Sequence, residues 1–181
     1  LLNLFERLGV TYEIGREHLI LHSNTWKNLN KAIEVNRTVS SQFASGLILN
    51  AWNLQEDLVL DMVGEPMSEG YLAMTLNVVQ QLGMNIERQN SYLIVKAQSQ
   101  IIKKEYIVES DLSSLFAIAA YAALNGEAEF QQYPIVSLQP DAVFLELFKK
   151  MGIAFELKDD LLRVFKTKEF LDEFGNSDKF K

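Results

Sequence analysis

A glycine that closes an amphipathic helix and opens a strand recurs three times, and this repeat constrains the fold more than any other feature. Leu2 to Leu8 runs into Gly9-Val10. Val78-Val79-Gln80-Gln81-Leu82 runs into Gly83-Met84-Asn85-Ile86-Glu87, and Leu147-Phe148-Lys149-Lys150-Met151 into Gly152-Ile153-Ala154-Phe155-Glu156. The glycines stand 74 and then 69 residues apart. A polar turn and a second apolar strand follow each time: Gly15-Arg16-Glu17 between Val10–Ile14 and His18–His22, then Tyr92–Val95, then Asp159-Asp160 before Leu161–Phe165. Period-two apolar runs bounded by turn residues read as paired strands.

The upstream halves repeat as well. Ile33–Asn36 and Tyr106–Glu109 read as strands, and Ser40-Ser41 precedes Ser113-Ser114 by 73 residues. Each serine pair opens an apolar helix, and a strand follows, Leu58–Met62 or Ala128–Gln132. The unit is β-α-β-α-β-β. The chain carries the tail of one unit, residues 1–23, and two full units at about 31–97 and 104–166. The fold class expected is α+β, an α/β repeat with mixed sheets around central apolar helices. Leu72, Thr75, Leu76, Val79 and Leu82 make a one-sided stripe, as do Phe144, Leu147, Phe148 and Met151. By contrast, Phe43–Trp52 and Leu115–Leu124 are apolar around most of their circumference and are expected at the centre of an assembly of units. A unit alone cannot cover such a helix, so apolar surface should remain exposed.

The chain has 181 residues, 48% of them hydrophobic, enough for two small cores. It lacks cysteine, which excludes disulfides, thiolate metal sites and cysteine nucleophiles. A net charge of −7 argues against nucleic acid. No apolar run approaches the ~20 residues of a membrane helix, so a cytoplasmic setting and no membrane partner are expected. The first residue is Leu, and flanking sequence is expected.

Chemistry concentrates at Thr38-Val39-Ser40-Ser41-Gln42-Phe43-Ala44-Ser45-Gly46. Two hydroxyls and an amide at a helix start, beside backbone N–H groups without intrahelical partners, suit a phosphate. The competing reading is that Ser40 or Ser41 is an N-cap. Elsewhere, His18 and His22 lie about 13 Å apart along an extended segment at ~3.3 Å per residue, too far to share a metal. Glu109 and Asp111 could pose as a carboxylate pair, but Asp111 at a helix entry reads first as a cap. Asp159-Asp160 reads as a solvated turn. There is no P-loop, nucleophile elbow or dinucleotide fingerprint.

Val39-Ser40-Ser41-Gln42-Phe43-Ala44-Ser45-Gly46-Leu47, set on this repeat, resembles the V-S-S-Q-F-x-S-A/G-L-L pattern of the 5-enolpyruvylshikimate-3-phosphate (EPSP) synthase family. Ser68-Glu69-Gly70-Tyr71-Leu72-Ala73-Met74-Thr75-Leu76 resembles that family's S-K/R-P-Y-I-D-x-T-L, and Val108-Glu109-Ser110-Asp111-Leu112-Ser113-Ser114 its V-E-G-D-A-S-S-A. The resemblance implies the central third to half of a six-unit, two-domain enzyme. Such an enzyme transfers the enolpyruvyl group of phosphoenolpyruvate to the 5-hydroxyl of shikimate 3-phosphate, without metal or organic cofactor. It further implies that Ser40, Ser41 and Ser68 hold the 3-phosphate, that Gln42 sits between the two substrates, and that Tyr71 touches the shikimate. Residues 1–108 would belong to the first globular domain and 109–181 to the second. No catalytic residue is assigned in this chain, because the family's catalytic Lys, Arg, Asp and Glu lie in other segments. Glu69, Gly70, Ser110 and Leu112 depart from the pattern; Glu69 puts a like charge beside the phosphate unless its side chain turns away. The alternatives are the related UDP-N-acetylglucosamine enolpyruvyl transferase, which shares the repeat, and a degenerate non-catalytic scaffold or anion-binding module.

Overall fold

A computed structural model describes residues 2–22, 26–27, 31–103 and 105–168. The expected unit limits at Ser23 and Lys104, and the end of the second domain beyond 168, lie outside the described residues. The chain forms two compact units, Leu1–Glu105 and Tyr106–Lys181.

The first unit opens with α1 (Leu2–Arg7) and the antiparallel hairpin β1 (Tyr12–Ile14) and β2 (Leu19–Leu21), shorter than the apolar runs that announced it. A complete β-α-β-α-β-β set follows: β3 (Ile33–Asn36), α2 (Gln42–Leu49), β4 (Leu58–Val63), α3 (Glu69–Gln81), β5 (Ile86–Gln89) and β6 (Tyr92–Val95). The sheet order is β3-β4-β6-β5, with β3 parallel to β4 and the other pairs antiparallel. Ile33 and Val35 of β3 and Leu58, Leu60 and Met62 of β4 alternate inward. They share one core with Ala44, Leu47 and Ile48 of α2 and Leu72 and Val79 of α3, so both helices cover the same face.

The second unit contains α4 (Leu112–Asn125), β7 (Glu127–Phe130), a 3-10 turn (Pro140–Val143), α5 (Phe144–Met151), β8 (Ala154–Lys158) and β9 (Leu161–Phe165). Its sheet is β7-β9-β8 and wholly antiparallel, so only the first unit's sheet is mixed. Phe144 and Phe148 meet edge to face at 5.3 Å, and Phe116 and Tyr133 join them in a core that includes Leu112, Leu162 and Val164. The outer face of α4 leaves Ile118 and Tyr121 54% and 69% exposed, the uncovered apolar surface that a central helix predicts.

The recurrent glycine has one physical cause. Gly9, Gly83 and Gly152 all have positive φ, at 66°, 112° and 75°. The residue after each donates to the carbonyl five positions back: Val10 to Phe5, Met84 to Val79 and Ile153 to Phe148, each at 2.9 Å. The glycine amide itself reaches the carbonyl three back. This is the Schellman termination, in which a left-handed residue lets the chain reverse and satisfy orphan carbonyls. Gly83 is further constrained because a Cβ there would collide with the Gln100 carbonyl oxygen.

One expected strand is absent. Tyr106–Glu109 forms no strand, and Ile107 and Val108 are 90% and 84% exposed. In the first unit β3 pairs with Leu60–Val63 of β4, and Leu60 faces Leu93 across the next ladder. The corresponding pair in the second unit is Phe130 with Leu162, and β7 ends at Phe130. Gln132 then turns at φ 56°, and the Tyr133 amide bonds the Asp160 carbonyl at 2.7 Å. β7 therefore stops where the pairing would start.

Candidate anion site at the parallel strand ends

β3 and β4 are the parallel pair, and each feeds a helix through a short loop at its carboxyl end, the place where open α/β sheets bind ligands. The two loops are tied together. The Arg37 amide donates to the Val63 carbonyl at 2.9 Å and extends the ladder by one position, and the Met67 amide donates to the Arg37 carbonyl at 3.2 Å. Asn36 Oδ1 accepts from the Thr38 amide at 2.9 Å and from Thr38 Oγ1 at 2.7 Å, folding the first loop back toward α2. Gly64, at φ 80°, passes so close that a Cβ would strike the Thr38 methyl. Behind the loops, Ser45 Oγ and Thr75 Oγ1 lie 2.9 Å apart and join α2 to α3. Ser40-Ser41 and Ser68 thus stand at one end of one sheet, brought there by residues 28 positions apart in sequence.

Their hydroxyls play different roles. Ser40 Oγ accepts from the Gln42 amide at 3.1 Å and so performs the capping that its position suggested. Ser41 is already helical at φ −68°, ψ −20°, its hydroxyl makes no cap bond, and it is buried at 7% exposure. Ser68 precedes α3 in the left-handed region at φ 56°, ψ 42°, again with no side-chain cap bond. A non-glycine residue there costs about 1–2 kcal/mol, strain of the kind that collects at ligand sites. Gln42 projects exposed from the first helical position of α2, and Tyr71 lies in the first turn of α3 at 40% exposure. Glu69, the discordant charge, bonds Arg88 of β5 at 3.3 Å, which turns its carboxylate toward β5.

Sequence reasoning passed over Arg37, between Asn36 and Thr38. Its signal was a lone cation three residues before the serine pair.

The second serine pair is self-satisfied. Asp111 caps α4 through the Ser113 amide at 3.1 Å and also accepts from Ser113 Oγ at 2.8 Å and Ser114 Oγ at 2.6 Å. The Ser114 and Ser113 hydroxyls, followed by the Ser113 amide, hold the Asp111 carboxyl below its ordinary value. Glu109 is no catalytic partner for it. It accepts from Ser137 Oγ and from Gln139 Nε2, the latter at 3.0 Å, while Gln139 Oε1 receives the Leu112 amide at 2.9 Å. His22 sits 3.2 Å from Glu13 across the hairpin. Among the described residues no group of three or more His, Asp or Glu could hold a metal, and no helix is long and apolar enough to cross a membrane.

One complete β-α-β-α-β-β unit, followed by a second that lacks its first strand, makes an α+β fold, and it is the fold of the enolpyruvyl transferases. The enolpyruvyl transferase NikO from Streptomyces tendae has a similar fold, with a TM-score of 0.61 over 92% of this chain and 41% of that one, at 14% identity. The model of the EPSP synthase (3-phosphoshikimate 1-carboxyvinyltransferase) family matches residues 1–174, and the chain belongs to that family. Relatives named 3-phosphoshikimate 1-carboxyvinyltransferase include one from Pasteurella multocida, 30% identical over 74% of this chain and 31% of the relative. Another, from Pseudoalteromonas atlantica, is 33% identical over 73% of this chain and 32% of the relative. The chain thus spans about a third of the length of these relatives.

Proposed function

We propose that the complete protein carrying this chain transfers the enolpyruvyl group of phosphoenolpyruvate to the 5-hydroxyl of shikimate 3-phosphate in the cytoplasm. This chain supplies the 3-phosphate half of the site. Ser40, Ser41 and Ser68 hold the phosphate, Gln42 lies between the substrates, and Tyr71 flanks the shikimate ring. The first domain runs to residue 108 and the second from 109, beside the division at Glu105 and Tyr106.

The observation that carries this reading is the convergence of two helix starts whose Ser41 and Ser68 hydroxyls are not used as caps, in a chain of this family. Helix amino termini favour anions, and hydroxyl donors add direction to that field. The pairing of Glu69 with Arg88 supports this reading, because it draws the carboxylate toward β5. In the reaction, the 5-hydroxyl gives up its proton to a base and its oxygen attacks C2 of phosphoenolpyruvate, while the methylene carbon takes up a proton from an acid. Loss of phosphate and of a methyl proton then leaves the enol ether. Fixing the shikimate phosphate orients that hydroxyl, which is the contribution of these residues.

The complete protein with both substrates should release inorganic phosphate from phosphoenolpyruvate. Release that needs UDP-N-acetylglucosamine instead would move the assignment to the related transferase. No release with either, together with no calorimetric binding of shikimate 3-phosphate, would leave the scaffold reading.

A further inference from the structure

Arg37 carries an arrangement that the assigned site does not use. Its amide continues the β3–β4 ladder, so strand alternation places it on the same face as Ile33 and Val35, one step past the core at the carboxyl end. That face is the one α2 and α3 cover. Arg37 is half-buried, and its Nε is buried with no hydrogen-bond partner. Three cations are half-buried among the described residues, Arg37, Lys96 and Arg163. Lys96 pairs with Asp57 and Glu87, and Arg163 with Glu127 and Glu129, whereas Arg37 has no ion pair among the described residues. In a chain of net charge −7, a half-buried guanidinium without a carboxylate is the exception. Its own carbonyl binds the Met67 amide, so it bridges the loop that leads to Ser40-Ser41 and the loop that ends in Ser68.

We propose that Arg37 is the charge partner of the phosphoryl group bound by these serines, and that it sets the preference for a phosphorylated over an unphosphorylated alcohol. The inference rests on the phosphate-site reading. A planar guanidinium offers paired donors that match two phosphate oxygens, and a half-desolvated one is not screened as a surface lysine is. With Glu69 drawn off toward β5, Arg37 supplies a cation from the opposite loop.

The test is calorimetric titration of the complete protein with shikimate 3-phosphate and, separately, with shikimate. Wild type, Arg37→Met and Arg37→Lys are compared, and thermal unfolding is recorded for each. Arg37→Met should weaken shikimate 3-phosphate by about ten- to hundredfold, as loss of a charge-assisted hydrogen bond does, and leave shikimate binding nearly unchanged. Arg37→Lys should recover part of the loss, because it restores charge without the fork. Equal affinity of Arg37→Met and wild type for shikimate 3-phosphate would overturn the role of Arg37 alone, as would an equal loss for both ligands. Absence of shikimate 3-phosphate binding by wild type would overturn the site reading and this inference with it. If Arg37→Met does not fold, the ratio of the two affinities in Arg37→Lys decides: a ratio equal to that of wild type overturns the inference, and a lower one supports it.

Discussion

Ser40-Ser41 and Ser113-Ser114 hold the same place in two copies of one repeat, yet the structure treats them oppositely. In the second unit both hydroxyls donate to Asp111, whose carboxylate also caps the helix. The unit supplies its own anion. In the first unit the residue two before the pair is Thr38, whose hydroxyl donates to Asn36. No carboxylate reaches the serines among the described residues, and the nearest discordant one, Glu69, is held by Arg88. Both helix starts present the same kind of field, so what separates the proposed anion site from the capped helix is whether an acidic side chain lies within hydrogen-bond reach.

The largest expected effect tests that difference directly. In the complete protein, Ser40→Ala with Ser68→Ala should weaken shikimate 3-phosphate by roughly hundredfold or more, the sum of two hydroxyl bonds to a charged group. The thermal midpoint should move little, because only Ser40 caps a helix. Ser113→Ala with Ser114→Ala should do the reverse, leaving the affinity unchanged and lowering the midpoint. Loss of binding in the second double variant would mean that the two copies are not functionally distinct.

The second unit pays for its missing first strand with a polar lock, and this sets the next effect in size. Gln139 receives the Leu112 amide, donates to Glu109 at 3.0 Å and to the Ser110 carbonyl at 2.8 Å, and so fixes the entry to α4. Gln139→Ala leaves the Leu112 amide without a partner at a fully buried residue, which should cost about 1–3 kcal/mol in chemical denaturation. The first unit has a paired β3 in that place.

Much of this was legible from the amino acids because it is local. The helix-ending glycine leaves a mark at each repeat since only glycine takes φ near 70–110° without strain, and three Schellman turns follow from it. Ile33–Asn36, Tyr92–Val95 and Leu161–Phe165 form as their alternation requires. Tyr106–Glu109 has the same local pattern but forms no strand, because a strand needs a partner and β7 ends too early to be one. The candidate site was legible as a set of residue types, and its local geometry was not. That Ser40 caps while Ser41 does not, that Ser68 is left-handed, and that Glu69 turns to Arg88 are all set by tertiary neighbours. Arg37 went unnoticed because a half-buried guanidinium without an ion pair among the described residues is a tertiary feature, which no window of sequence displays.

A smaller effect sharpens the contrast through pH. The folded-state carboxyl of Asp111 titrates below its unfolded value of about 3.9, so its stabilisation is complete above that value and is lost as pH falls through the depressed one. Asp111→Asn should therefore lower the thermal midpoint at neutral pH and flatten its decline below pH ~4. The Ser40-Ser41 helix offers no such carboxylate, and no substitution there should alter the acid limb.

The smallest effect concerns Glu69. The pair with Arg88 is exposed on both sides, at 47% and 59%, and such pairs contribute about 0–1 kcal/mol. Glu69→Gln should thus change stability by less than about 0.5 kcal/mol. Its effect on ligand is the more informative number. If the carboxylate stays with Arg88 when phosphate binds, removing its charge should raise affinity for shikimate 3-phosphate by no more than about threefold, the residue of a screened repulsion. Arg88→Met frees the carboxylate to approach the serines, and should weaken the ligand by more than Glu69→Gln strengthens it. Salt separates the two cases, because a repulsion acting through solvent fades at high ionic strength whereas a carboxylate bonded to the serine hydroxyls would not. An Arg88→Met protein that binds as tightly as wild type at low salt would show that the ion pair is incidental, and that the first unit escapes the fate of the second by loop geometry alone.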